Sequence, residues 1–205
     1  MSAAPTLLPP QAVYTDEPIY RLSVDQYHDM IDRGKLTSDD PVELIEGVLV
    51  FKMPKNRPHK AAVRRCGRAI AAALPPNYFY DPEQPLTLAD GEPEPDGMVV
   101  AGKIEDYDAV DVLPSNVALV IEVSDATLNR DRGTKLRSYA RAGIECYWIV
   151  NLIDRQIEVY ANPISAADAP GYPEPLIYRA GDSVPLQIAG TTVATILVAD
   201  ILPAT

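Results

Sequence analysis

Apolar residues recur along this chain in two rhythms, and the stretch from Val117 to Asn151 carries both. VALVIEVS (117–124) is β-branched and aliphatic, which predicts a strand. Alternation places Val120, Glu122 and Ser124 on one face and Leu119, Ile121 and Val123 on the other. A helix follows, with Asn129 or Thr127 able to cap its start and Gly143 to end it. Asp131, Lys135 and Tyr139 fall four apart and share a helix face, with Leu136 and Ala140 packing inward beside them. YWIVN (147–151) reads as a second buried strand. Strand, helix, strand predicts a parallel pair joined by a right-handed crossover.

The remaining elements are shorter. Residues 1–18 carry four prolines and little periodicity, which predicts a loosely ordered arm ahead of one domain over 19–205. SVDQYHDMIDRG (23–34) predicts a helix with Ser23 as N-cap, Gln26 three positions on and Gly34 at the stop. VELIEGVLVFKM (42–53) predicts a hairpin turning at Glu46-Gly47. Val63, Cys66, Ile70 and Leu74 give helical periodicity from His59 to Leu74, and Pro75-Pro76 breaks it. Short strands are expected at 78–80, 84–88, 98–101 and 156–160, the last joined to YWIVN by a turn at Asp154-Arg155. A polar connection fills 102–116 and a proline-rich surface loop 161–175. Residues 176–178, 184–188 and 192–198 read as edge strands or tail segments.

Composition narrows the class. A hydrophobic fraction of 47% and a charged fraction of 23% over 205 residues are ordinary for a globular protein. The net charge of −11 argues against a simple basic nucleic-acid-binding module, though a locally basic groove remains open. Lys52 to Arg68 reverses the sign, with Lys52, Lys55, Arg57, Lys60, Arg64, Arg65 and Arg68 and no acid. That run is either a solvated helix face or a phosphate-facing surface. Cys66 and Cys146 lie in apolar segments and read as buried free thiols, which suits a reducing, cytoplasmic setting. No apolar run reaches the length of a membrane span, and the N-terminus lacks a secretion signal.

Glu122 is the residue that invites a chemical reading. A carboxylate inside a buried strand is costly unless a cation or hydrogen bonds compensate it. It is either half of a structural ion pair, with Lys135 or an arginine, or part of a site. Asp96 stands directly before the strand expected at 98–101. Carboxylates from neighbouring strands can hold a hard divalent cation such as Mg²⁺, with Mn²⁺ as a substitute, and the Val123 carbonyl can add a ligand. A nearby Lys135 can orient water or offset charge on a phosphodiester. His59, at a helix start, points into such a site or lies at the surface; His28 is expected on a helix surface.

Pro95-Asp96 followed by Glu122-Val123-Ser124 resembles the PD-(D/E)XK nuclease signature, with Ser124 where the usual lysine stands. Lys135 resembles the migrated lysine of some branches. VELIEG (42–47), His59, PEPDGMVV (93–100), VIEVSDAT (120–127), DRGTK (131–135) and YARAGIECYWIVN (139–151) together resemble the Uma2 family, also called DUF820, of restriction-endonuclease-like proteins. The resemblance implies an α/β restriction-endonuclease-like core, a mixed central β-sheet flanked by α-helices with extra β-hairpins. It also implies a Mg²⁺-dependent endonuclease acting on nucleic acid, with DNA the expected substrate. Asp96 and Glu122 take the metal-ligand positions, Lys135 the catalytic lysine position, and Glu46 and His59 accessory positions. Gly97 departs from the β-branched residue usual after the aspartate, which is expected to loosen the strand start. The alternative is a catalytically inactive nuclease fold that binds nucleic acid or another protein. A homodimer is plausible, since cutting two strands favours two sites.

Overall fold

The computed structural model describes residues 18–166 and 168–204, so the expected N-terminal arm lies outside the described residues except for Pro18. Helix α1 (Val24–Asp32) starts at the expected capping box, with Ser23 Oγ accepting from the Gln26 N–H and the Gln26 side chain accepting from the Ser23 N–H. Strands β1 (Val42–Ile45) and β2 (Val48–Phe51) pair antiparallel through Glu46 and Gly47. Both turn residues have positive φ, 48° and 74°, as a two-residue hairpin with right-handed twist requires. Helix α2 (Arg57–Ala71) begins two residues before the expected start, because Asn56 caps it through the His59 N–H and Pro58 is tolerated in the first turn.

The centre is a six-stranded sheet ordered β3-β4-β5-β6-β7-β8. Its strands are β3 (Tyr78–Asp81), β4 (Gly97–Ala101), β5 (Val117–Ser124), β6 (Cys146–Asn151), β7 (Gln156–Ala161) and β8 (Leu176–Arg179). Only β5 and β6 run parallel, joined by the expected helical crossover; every other neighbouring pair is antiparallel. The crossover is not one regular helix. Its first turn, α3 (Leu128–Arg130), passes into a π-helical turn at Asp131–Lys135 and then into α4 (Leu136–Arg141).

The alternation in β5 is as expected. Leu119, Ile121 and Val123 face one core layer with Trp148, Val150, Ala62, Cys66 and Ile70. Val120 faces the other with Tyr139, Ile144, Tyr147 and Ile149. Of the two readings of the C-terminal segment, edge strands or tail, it forms strands. Strands β9 (Ser183–Ile188) and β10 (Thr191–Leu197) form their own hairpin, and Val184, Leu186, Ile188 and Ile196 complete the first layer with the short helix α5 (Val198–Ile201). Residues 84–88 are not a strand. They carry two side chains inward, Leu86 and Leu88, held by backbone bonds to Pro93 and Gly91. The 161–175 loop also contributes to packing, since the Tyr172 hydroxyl donates to the Ile144 carbonyl at 2.7 Å and its ring lies against Tyr147 and Tyr160. Among the described residues no helix is long and apolar enough to cross a membrane.

Gly97 does not loosen the strand start. It is buried as the first residue of β4 and registered against Ile121. A Cβ there would lie 2.0 Å from the Tyr80 hydroxyl oxygen, and the same ring covers Gly67 on α2. The missing β-branch is therefore replaced by an aromatic ring wedged between strand and helix. Gly97→Val should lower unfolding stability by about 1–3 kcal/mol in denaturant titrations, and adding Tyr80→Leu should recover part of the loss. An unchanged midpoint in the single variant would show that Tyr80 moves aside freely.

Candidate active site

Three elements place carboxylates around one cavity of about 270 Å³. β5 presents Glu122 near its C-terminal end, the segment entering β4 presents Asp96, and β1 presents Glu43. All three are at most 5% exposed. The crossover then closes over them. Ser124 Oγ donates to Asp131 Oδ2 at 2.7 Å, Lys135 Nζ donates to Glu122 Oε1 at 2.7 Å, and the Tyr139 hydroxyl donates to the same oxygen at 2.7 Å. The helix face expected from four-residue spacing thus lies along the Glu122 face of β5. The π-helical turn ends at Lys135 itself; such turns concentrate at functional sites because they re-aim side chains without ending a helix.

Lys135 does not pair with Asp131 one turn back. Its second carboxylate is Glu43, at 3.3 Å. Asp131 instead accepts from Ser124 and Thr127, so Ser124 helps orient the helix that carries Lys135.

Asp96 is surrounded differently. Lys55 Nζ lies 2.8 Å from Oδ1, His59 Nε2 lies 3.2 Å from Oδ2, and the Val123 N–H donates to Oδ2 at 2.8 Å. This last bond ties the aspartate across β4 to β5 beside Glu122. Burial works against the charged form, but His59 and Lys55 outweigh it and hold Asp96 down at about 2. The balance at Glu122 is reversed. Burial, reinforced by Asp131, Asp96 and Glu43 and only partly opposed by Lys135, pushes it up to about 8. Burial also disfavours the Lys135 ammonium, yet Glu122, Glu43 and Asp131 hold its pKa above the ordinary lysine range.

His59 sits inside the cavity wall, 8% exposed, and its Nδ1 has no hydrogen-bond partner. Glu46 is not in the cavity. It occupies the hairpin turn, where Arg137 and Arg141 each approach it to 3.2 Å. The carboxylate that the VELIEG segment brings inside is Glu43, whose Oε2 also accepts the Glu94 N–H at 3.0 Å. The cost argument that singled out Glu122 applies equally to Glu43, a buried charge followed in its strand by two buried residues. His28 is half-exposed and pairs with Glu92 at 2.7 Å, outside the site.

The cavity wall holds seven carboxylates (Glu43, Glu83, Glu94, Asp96, Glu122, Asp125, Asp131) against four Lys or Arg side chains (Lys52, Lys55, Arg130, Lys135), a formal surplus of three negative charges with every carboxylate ionised. Among the described residues no three His, Cys, Asp or Glu side chains form a ready-made metal cage.

A family model described as "Putative restriction endonuclease", Uma2, matches residues 24–194. The chain belongs to the Uma2 family. The match spans every residue that lines the cavity, from Glu43 to Lys135. No functionally curated protein matches the sequence. Among solved structures, a putative nuclease belonging to DUF820 from Anabaena variabilis ATCC 29413 superposes with a TM-score of 0.63 over 88% of this chain and 97% of that one, at 17% identity. At that identity the likeness speaks for a shared fold. Uma2 membership and the nuclease-like fold together support a nuclease-like function.

Proposed function

We propose that this Uma2 protein is a divalent-metal-dependent endonuclease that hydrolyses phosphodiester bonds of nucleic acid, with DNA as its substrate. One observation carries the reading: Lys135 arrives from the crossover at 2.7 Å from a buried strand carboxylate, Glu122, although Ser124 stands at the usual lysine position. A protein needing only a structural ion pair has no reason to gather Asp96 and Glu43 around the same cavity, where they raise the cost of charging Glu122.

The donor set fits Mg²⁺ or Mn²⁺. Such ions take oxygen ligands, keep several waters and need only one or two carboxylates, so a complete protein cage is not required. Asp96 and Glu122, with the Val123 carbonyl, would hold the cation, and the surplus of negative charge in the wall favours its entry. When bound, it would polarise the phosphodiester and ease loss of a proton from water. Lys135 would stabilise charge on the phosphate while Glu43 and Tyr139 fix its neighbourhood. Lys55, now paired with Asp96, has a side chain 35% exposed and can leave toward solvent. His59 holds Asp96 in place through Nε2.

Plasmid cleavage in Mg²⁺ or Mn²⁺, paired with calorimetric metal titration, tests the reading. The wild type should cut and bind metal, whereas Asp96→Asn and Glu122→Gln should do neither while remaining folded. Metal affinity unchanged in both variants would exclude the shared cation site. Metal binding without cleavage by the wild type would leave a non-cleaving nucleic-acid-binding or protein-interaction module instead.

A further inference from the structure

The cavity has the wrong sign to attract a polyanion, and so does the chain as a whole, at −11. Affinity for a nucleic-acid backbone must then come from a separate basic surface, since phosphate contacts dominate such binding. Of the Lys and Arg side chains in the described residues, most are already engaged. Lys52, Lys55, Arg130, Arg132, Lys135, Arg137 and Arg141 pair with carboxylates, and Arg65 donates to the Leu202 carbonyl at 2.6 Å. Four that make neither an ion pair nor a side-chain hydrogen bond among the described residues, Arg57, Lys60, Arg64 and Arg68, are all exposed on α2.

Their spacing is regular. At about 100° per residue the four fall within a sector of about 80°, and from first to last they span about 16 Å of helix. The opposite side of α2 is fixed in the core by Ala62, Cys66 and Ile70, so the basic stripe must face outward. Ala61, the small residue beside the stripe, leaves a shallow depression walled by Arg64, Arg65 and Arg68. Toward the helix start, Lys60 and Arg64 border a second depression shared with Lys55, whose ammonium reaches Asp96. Glu83, the acid there, is already paired with Lys55 at 2.5 Å. The stripe is therefore continuous with the edge of the cavity.

We propose that Arg57, Lys60, Arg64 and Arg68 form a docking track for the backbone phosphates of the nucleic-acid substrate, leading one strand along α2 toward Asp96 and Glu122. The proposal rests on the nuclease reading for its occupant. The track is sequence-independent, because exposed guanidinium and ammonium groups on a helix surface contact phosphates without reading bases. It also divides the labour: α2 supplies attraction, and the acidic cavity admits a phosphodiester only in company with a cation.

The test is binding of the full chain to a duplex oligonucleotide in Ca²⁺, by fluorescence anisotropy across a salt series. Changing all four residues to Gln should flatten the slope of log affinity against log salt by about three units. Lys35→Gln, Lys103→Gln and Arg179→Gln combined remove charges from unpaired, separate places and should leave the slope within about one unit of wild type. Equal flattening in both variants would reduce the effect to net charge and overturn the track, as would a slope unmoved by the fourfold change. Failure of the track is separable from failure of the nuclease reading. A wild type that cuts plasmid with an insensitive slope loses the track alone. One that shows the expected slope change but never cuts loses the cleavage assignment alone. Duplex binding that is undetectable even at low salt overturns the track, and binding of the stripe to anionic phospholipid vesicles would then assign it to a membrane surface.

Discussion

Lys135→Met should abolish plasmid cleavage and, at pH 8 and above where Glu122 is ionised, lower the melting temperature of the metal-free protein by roughly 10 °C. The ammonium is buried and sits 2.7 Å from Glu122 and 3.3 Å from Glu43. Removing one partner of a buried pair leaves uncompensated charge and costs about 3–5 kcal/mol, and each kcal/mol moves the midpoint of a protein this size by about 2–4 °C. The loss should depend on pH with a definite sign. Burial raises Glu122 to about 8 in the folded protein, above its unfolded value. Folding stability from this group is thus fully present below the ordinary carboxylate range and falls as pH rises toward 8. Lys135 opposes that rise, so the variant's deficit should be small near pH 4.5 and grow toward pH 8 and above. A divalent cation should do for the variant what the ammonium does for the wild type. Saturating Mn²⁺ should therefore raise the variant's melting temperature more than the wild type's. A uniform deficit across pH, unaffected by Mn²⁺, would mean that Lys135 packs the core and has no charge relation to the carboxylates.

Glu43→Gln and Glu46→Gln should behave as opposites, though both residues lie in one six-residue segment. Glutamine at 43 keeps an oxygen for the Glu94 N–H but deletes the negative charge facing Lys135 and Arg130. Cleavage should fall about 10–100-fold, the usual effect of altering a group that orients a metal site from outside it. Glutamine at 46 weakens pairs with Arg137 and Arg141, whose side chains are 44% and 31% exposed. Such solvent-facing pairs contribute about 0–1 kcal/mol, so cleavage should stay within about twofold and the melting temperature should shift by only a few degrees. A larger activity loss at Glu46 than at Glu43 would show that the hairpin turn, not its buried strand, serves the site.

The sequence alone determined most elements whose signal is local, the strand expected at 84–88 excepted. The capping box at Ser23, the turn at Glu46-Gly47, the helix past His59 and the strand–helix–strand from Val117 to Asn151 each rest on residues within one turn or one strand of each other. That Glu122 needs a cation was legible as well, with Lys135 and an arginine both open until the structure placed Lys135 at 2.7 Å. Two-residue alternation on β5 and four-residue spacing on the crossover make their faces meet, and a buried carboxylate needs a cation wherever the chain supplies one. Tertiary structure decided the rest, because it turned on distance in space. Glu43 and Glu46 look alike in VELIEG; only the placed hairpin sends one into the cavity and the other to Arg137 and Arg141. Gly97 reads as a weakened strand until Tyr80, well before it in the chain, is seen to occupy its side-chain space. The π-helical turn at Asp131–Lys135 has no periodic signature in five residues. The terminal segments read as edge strands or tail because the partner that buries Val184 and Ile196 is a sheet face formed by the middle of the chain. A hydrophobic pattern states that a residue will be buried; only the assembled fold states against what.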